Sequence, residues 1–230
     1  MKKIFLFLFI LIFLVNVGCN KSNTTPPPTK FYLFNLSPGS QSLDFSINGS
    51  PIKTGLTYGE DSGYFSTSPG IQELQIARTG SSTQIFDANI SFTAAIPYSV
   101  FVIDSFNRLT PSITIDTSTA PLKDTTKVRF LNFLVGSPEI DARLAAPGDT
   151  SVFHQRTFND LQVPNTPNAI FEKIYPNTYT LTLFNDADSS TIKAISGLTF
   201  SAGKVYTLYI YGDYSDTINY PINAKFIQHN

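Results

Sequence analysis

An all-β fold of two tandem antiparallel β-sandwich domains, immunoglobulin-like or transthyretin-like, is what this 230-residue sequence predicts. Three observations carry the expectation. Thr, Ser, Ile, Val, Phe and Tyr are abundant, aromatics reach 13% and charged residues only 14%, a mixture that suits pleated, half-buried surfaces. The 13 Gly and 15 Pro are spread along the chain as turn punctuation. Finally, three blocks in the first half recur in the same order in the second, the mark of a duplicated unit.

The first element is a leader over residues 1–18. Lys2 and Lys3 precede an unbroken apolar run from Ile4 to Val15. That run is shorter than the roughly 20 residues of a membrane span and matches the apolar centre of a signal peptide. Gly18-Cys19 then closes the segment in a manner similar to a bacterial lipobox, with Asn16 where Leu is usual. The resemblance implies cleavage before Cys19 and a thioether from its sulfur to diacylglycerol. Several acyl chains, each methylene contributing about 0.8 kcal/mol when buried, make such an anchor stable. Cys19 is the one cysteine, so no internal disulfide exists and the exported domains depend on their cores alone.

Residues 19–30, with Pro26-Pro27-Pro28 among Asn, Ser and Thr, read as a semi-extended tether. Asn20 is not the Asp that resembles an inner-membrane retention signal, so the expected location is the outer membrane, on either face. Cleavage removes Lys2 and Lys3 and takes the formal charge from −1 to −3. No basic stripe is present, which argues against nucleic acid as a partner.

The first sandwich is expected over 31–116, a linker over 117–126 and the second sandwich over 127–230. Phe34-Asn35 through Leu43-Asp44 recurs as Leu131-Asn132 through Ile140-Asp141, at an offset of 97. Tyr64–Ile76 pairs with Phe171–Leu183, and Phe92–Ile103 with Phe200–Tyr211, at offsets of 107 and 108. The added residues fall between Ala145 and Ile170 and read as a longer loop. Each repeat holds about seven strand candidates separated by turn signals, as in a Greek-key sandwich. Tyr206, Leu208 and Ile210 alternate with Thr207, Tyr209 and Tyr211; both faces are apolar, which predicts a central strand.

Asn35 to Gly39, Leu43 to Gly49 and Tyr98 to Val102 resemble the bacterial family called domain of unknown function 4397, and Lys127-Val128-Arg129-Phe130-Leu131-Asn132 looks like the start of a second copy. The second copy departs at Leu134-Val135 and at Leu144-Ala145-Ala146. The resemblance implies an exported, often lipid-anchored envelope protein of β-sandwich type and implies no activity.

Catalytic material is sparse. His154 and His229 are the two histidines, and no Gly-x-Ser-x-Gly elbow frames a serine. Glu60-Asp61 and Asp186-x-Asp188 are the carboxylate pairs, both in polar turn sequences where such residues usually bond local backbone. Asp186 and Asp188 lack the Gly and terminal Glu of an EF-hand loop. Asp44 and Asp141 recur in both repeats, which predicts a role in the fold. Tyr98 and Tyr206 occupy the place of a tyrosine corner. Tyr209, Tyr211 and Tyr214 are candidates for an exposed ligand-stacking platform. The expected function is a non-enzymatic, lipid-anchored envelope module that binds an unknown protein or glycan without metal or cofactor. A subunit of an outer-membrane adhesion or polymer-capture assembly is the alternative, and a hydrolase the remoter one.

Overall fold

A computed structural model describes residues 25–160 and 170–229; the leader and Cys19 lie outside the described residues. The described chain is all-β. In the first half, β1 (Thr29–Asn35), β4 (Asp61–Thr67), β7 (Pro97–Ile103) and β8 (Thr110–Ile115) form a sheet in the order β4-β1-β7-β8. Its partner sheet has the order β3-β2-β5-β6, from β2 (Leu43–Ile47), β3 (Ser50–Leu56), β5 (Gly70–Arg78) and β6 (Gln84–Phe92). The second half repeats both orders. β9 (Thr126–Val135), β12 (Glu172–Ile174), β15 (Val205–Asp213) and β16 (Asn223–Gln228) give β12-β9-β15-β16. β10 (Ile140–Ala146), β11 (Asp149–Arg156), β13 (Asn177–Asn185) and β14 (Thr191–Phe200) give β11-β10-β13-β14.

Each unit thus has eight strands rather than the seven expected, and β1–β7 and β9–β15 pair in parallel within otherwise antiparallel sheets. The four-plus-four arrangement departs from the seven-strand immunoglobulin order and follows the transthyretin-like alternative. β3 and β4 are edge strands, on which only Leu56 is buried. Thr29 and Lys30, expected in the tether, belong to β1. The Thr29 side chain is buried, and its hydroxyl donates to the Ile96 carbonyl, as Thr126 does to Lys204 in the second unit.

Several recurring residues hold equivalent posts. Asn35 and Asn132 are fully buried; their side-chain amides donate to Leu56 O and Arg156 O, at 3.0 Å in both copies. Asp44 accepts from Gly55 N and Asp141 from Gln155 N, each fixing a bulge residue with positive φ on the adjoining strand. Tyr98 Oη accepts from Thr93 N and Tyr206 Oη from Ser201 N, both at 3.1 Å, which is the bond back to upstream backbone that a tyrosine corner makes. The two halves therefore share the residues that hold the backbone.

Three cores separate the four sheets. One fills the first sandwich around Phe31, Phe45, Ile76 and Val100, and another fills the second around Phe130, Leu181, Leu208 and Ile210. The third lies between the sandwiches, where Phe34, Leu36, Phe101 and Ile103 meet Leu131, Phe133, Tyr209, Tyr211 and Ile227. The sheets of β1/β7 and β9/β15 are therefore the two inner layers of a four-layer stack, covered on both faces. That explains why β15 is apolar on both sides and why β9 and β15 are buried almost throughout. Burying each large apolar side chain contributes roughly 1.5–3 kcal/mol. Closing a ten-residue connection has a length-dependent cost of only about 2 kcal/mol. Nine buried side chains in the third core decide that comparison in favour of docking.

Phe101 is the hub of this third core, with ring centroids 4.6 Å from Phe34, 4.8 Å from Phe133 and 5.6 Å from Tyr209. Phe101→Ala is expected to destabilise the protein by about 3–5 kcal/mol. Native-state hydrogen exchange checks it: amides of β5 and of β13 should both lose protection. Loss confined to β5 would mean that the sandwiches are stabilised separately.

Candidate functional site

Where the two sandwiches meet, an aromatic cleft of about 270 Å³ opens at the edge of the third core. The first sandwich lines it with Tyr32, Phe34 and Asp61; the second adds Leu198, Tyr209 and the β16 run Ala224–Ile227. Alternation on β1 sends Tyr32 and Phe34 to the same side, away from the first sandwich's own core, with ring centroids 4.5 Å apart. Tyr32 donates to Asp61 Oδ1 at 2.6 Å, and Lys225 Nζ donates to Gly59 O at 2.7 Å. The cleft thus has apolar walls, a carboxylate and an ammonium at its rim, and a phenol inside.

That phenol is Tyr209, only 2% exposed. Among the described residues its hydroxyl has no hydrogen-bond partner, yet it is not sealed in, because it lines the cleft. Burial, with the nearby Asp61 charge, raises the Tyr209 phenol well above its ordinary pKa. It stays protonated and is a donor. Because the hydroxyl opens onto the cleft, it can donate to solvent in the free protein and to an acceptor on a ligand.

A second polar cluster joins the sandwiches elsewhere along the interface. Asp116, just past β8, accepts from Ser99 Oγ at 2.7 Å, Tyr64 Oη at 3.1 Å, Thr114 Oγ1 at 3.1 Å and Arg129 Nη2 at 3.1 Å. Arg129 also donates to Ile115 O and Thr207 Oγ1 and lies over the Phe171 ring. His229 Nε2 is 2.7 Å from Thr207 Oγ1, and its Nδ1 is 3.1 Å from Tyr64 Oη. With Thr207 already receiving the guanidinium, one assignment satisfies every group: Thr207 donates to Nε2, Nδ1–H donates to Tyr64, and Tyr64 donates to Asp116. The Asp116, Arg129 and His229 side chains are all buried. Their bonding is complete, so the cluster joins two surfaces and leaves no free base or nucleophile.

The sequence-predicted residues separate in this structure. Tyr209 and Tyr211 do not form an exposed stacking platform, because the first sandwich covers that face of β15. Tyr211 packs edge-on against Tyr58 with centroids 5.9 Å apart. Tyr214 is 40% exposed on the following loop. Glu60 bonds Thr57 N, and Asp188 bonds Ser190 N and Oγ; these bonds hold both carboxyls below their ordinary pKa, the wrong direction for a general acid. Asp61 alone of the carboxylate candidates reaches the cleft. His154 bonds Asp141 on the opposite surface of the second sandwich, far along the chain from His229. Among the described residues, no three or more His, Cys, Asp or Glu side chains gather as a metal would require. Tyr32, Phe34 and Phe226 were not singled out from sequence, since an aromatic that packs in a core and one that lines a cleft alternate identically along a strand.

Burial lowers the His229 pKa to about 4 from an ordinary 6.5. Between those values the unfolded chain binds a proton that the folded chain does not. Stability from this group is therefore full above about pH 6.5 and is lost as pH falls towards 4, by up to about 3 kcal/mol. Urea midpoints measured from pH 7 to pH 4.5 should fall less steeply in His229→Asn than in the natural chain. Equal slopes would show that His229 titrates normally.

The profile of the family described as "Domain of unknown function (DUF4397)" matches residues 29–143, from the start of β1 into β10. No curated protein is similar to the chain in sequence. Among solved structures, a CBM26-family module (CBMbc) of Amy13K from Eubacterium rectale, in complex with maltoheptaose, aligns over 88% of this chain and 97% of its own. The identity is 10% and the TM-score 0.23, too low for a ligand or a shared fold to follow from it.

Proposed function

We propose a non-catalytic binding role in the cell envelope for this chain, which belongs to the domain-of-unknown-function family DUF4397. In this reading, β9–β16 are a second copy of the family domain, covering 127–230 after a linker over 117–126. The repeated sheet orders and the paired posts of Asn35 and Asn132, Asp44 and Asp141, and Tyr98 and Tyr206 support it. Cys19 carries the lipid at the end of a tether that meets the sandwiches at Thr29, and the expected membrane is the outer one. The ligand occupies the cleft between the copies and presents an acceptor to Tyr209.

The unpartnered Tyr209 hydroxyl carries this reading. A phenol donor that no side chain of the described residues engages, at the edge of an otherwise apolar cleft, is available to an acceptor on a ligand.

Two tests follow, one for the cleft and one for the anchor. Tyr209→Phe removes the hydroxyl and keeps the ring. If the hydroxyl serves a ligand, the free protein should be as stable or more stable, by up to about 1 kcal/mol in urea unfolding. A loss of that size instead would assign the hydroxyl to the fold. For the anchor, cells fed an alkyne fatty acid should label the natural chain and not Cys19→Ser. Label retained by Cys19→Ser would place the lipid, if any, elsewhere.

A further inference from the structure

The two copies provide their own control for what the fold needs. On the outer sheet of the first sandwich a hollow of about 490 Å³ includes Asp44, Ser46, Thr54 and Ala77. A hollow of about 260 Å³ lies at the matching place on the second, lined by Asp141, Arg143, Val152, His154, Phe184, Asn185 and Ser189. The pairings fix the equivalence. Asp44 sits opposite Ala77, and Asp141 opposite Phe184. Ser46 and Arg143 lie two residues beyond each aspartate, and Thr54 and His154 immediately precede the bulge residues that the aspartates hold. The aspartate is common to both hollows and serves the bulge. The other three positions change from Ser, Thr and Ala to Arg, His and Phe. Since the first copy folds without them, the trio is not required by the sandwich.

The trio is also arranged. The Arg143 guanidinium lies 4.5 Å above the Phe184 ring, an orientation that holds the planar fork in place. Among the described residues the Arg143 guanidinium makes no hydrogen bond, so its donors are open to solvent. His154 Nδ1–H donates to Asp141 Oδ2 at 2.9 Å, leaving Nε2 as the other ring nitrogen on an exposed side chain. Phe184 and Val152 give an apolar floor, while Asn185 and Ser189 add polar groups at the rim.

We propose that this hollow is a binding site for one ring of a neutral sugar, acquired by the second copy and separate from the inter-sandwich cleft. A fork of donors beside a carboxylate suits a vicinal diol, each hydroxyl of which both donates and accepts. The edge of the Phe184 ring, whose face the guanidinium covers, and the Val152 methyls suit the C–H groups of a pyranose ring. An acidic sugar is disfavoured, because the Asp141 carboxylate lies in the hollow beside the guanidinium.

The test is isothermal titration calorimetry of the full lipidated chain in detergent. The probes are neutral hexaoses built of glucose, mannose or xylose, with hexagalacturonate as the acidic comparison. At least one neutral hexaose should bind. Phe184→Ala and Arg143→Ala should each weaken it by about tenfold or more, and Arg143→Lys, which keeps charge but not the planar fork, should weaken it similarly. Ser46→Ala, in the hollow of the first copy, should leave it unchanged. The proposal is overturned if no neutral hexaose binds, if hexagalacturonate binds best, or if Phe184→Ala or Arg143→Lys binds as the natural chain does.

Discussion

The inner sheets have two apolar faces each, and only the other copy supplies the second cover. Phe34 and Phe101 leave the first sandwich on the side opposite Phe31 and Val100. Phe133 and Tyr209 do the same in the second. Separated sandwiches would expose both sets to water as contiguous aromatic patches, which soluble surfaces rarely tolerate. The four-layer order, the covered tyrosines and the position of the cleft all follow from closing that gap.

Apolar packing alone would permit several registers between two flat sheets; the polar cluster selects one. Asp116 N bonds Pro97 O and His229 N bonds Val205 O, each at 2.9 Å, so Asp116 and His229 are equivalent residues of the two copies. Ser99 and Thr207 are equivalent too, and each bonds its own copy's member of that pair. Arg129 stands where the first copy has Tyr32. Two identical units would bring like groups together at this point, whereas these two bring a carboxylate to a guanidinium and a neutral imidazole. Removing one member would strand a buried charge, a cost of several kcal/mol. Complementarity between copies, rather than similarity, fixes how they dock.

The sequence carried the parts that local chemistry determines. The period of two in β5 and β13 is plain, because one face meets a core and the other meets water. Asn35, Asp44 and Tyr98 were legible because each reappears in the second copy. Three things were not. β3 and β4 are exposed edges, where little side-chain selection operates. The parallel β1–β7 pair depends on a crossover through the other sheet. Tyr209 looked exposed because the rings that cover it, Phe34 and Phe101, lie more than a hundred residues earlier. Asp61 was legible as a carboxylate but not as a wall of the cleft, since its neighbours Lys225 and Phe226 come from the last strand.

A cleft shared by two copies exists only if they are held at one separation. Nitroxide labels at Ser82, in the exposed β5–β6 turn of one outer sheet, and Ser196, exposed on β14 of the other, measure that separation by double electron–electron resonance in a Cys19→Ser background. The account predicts one narrow distance distribution that broadens in Phe101→Ala. A broad or multi-peaked distribution in the natural chain would contradict it, and would show two sandwiches moving independently on a flexible connection.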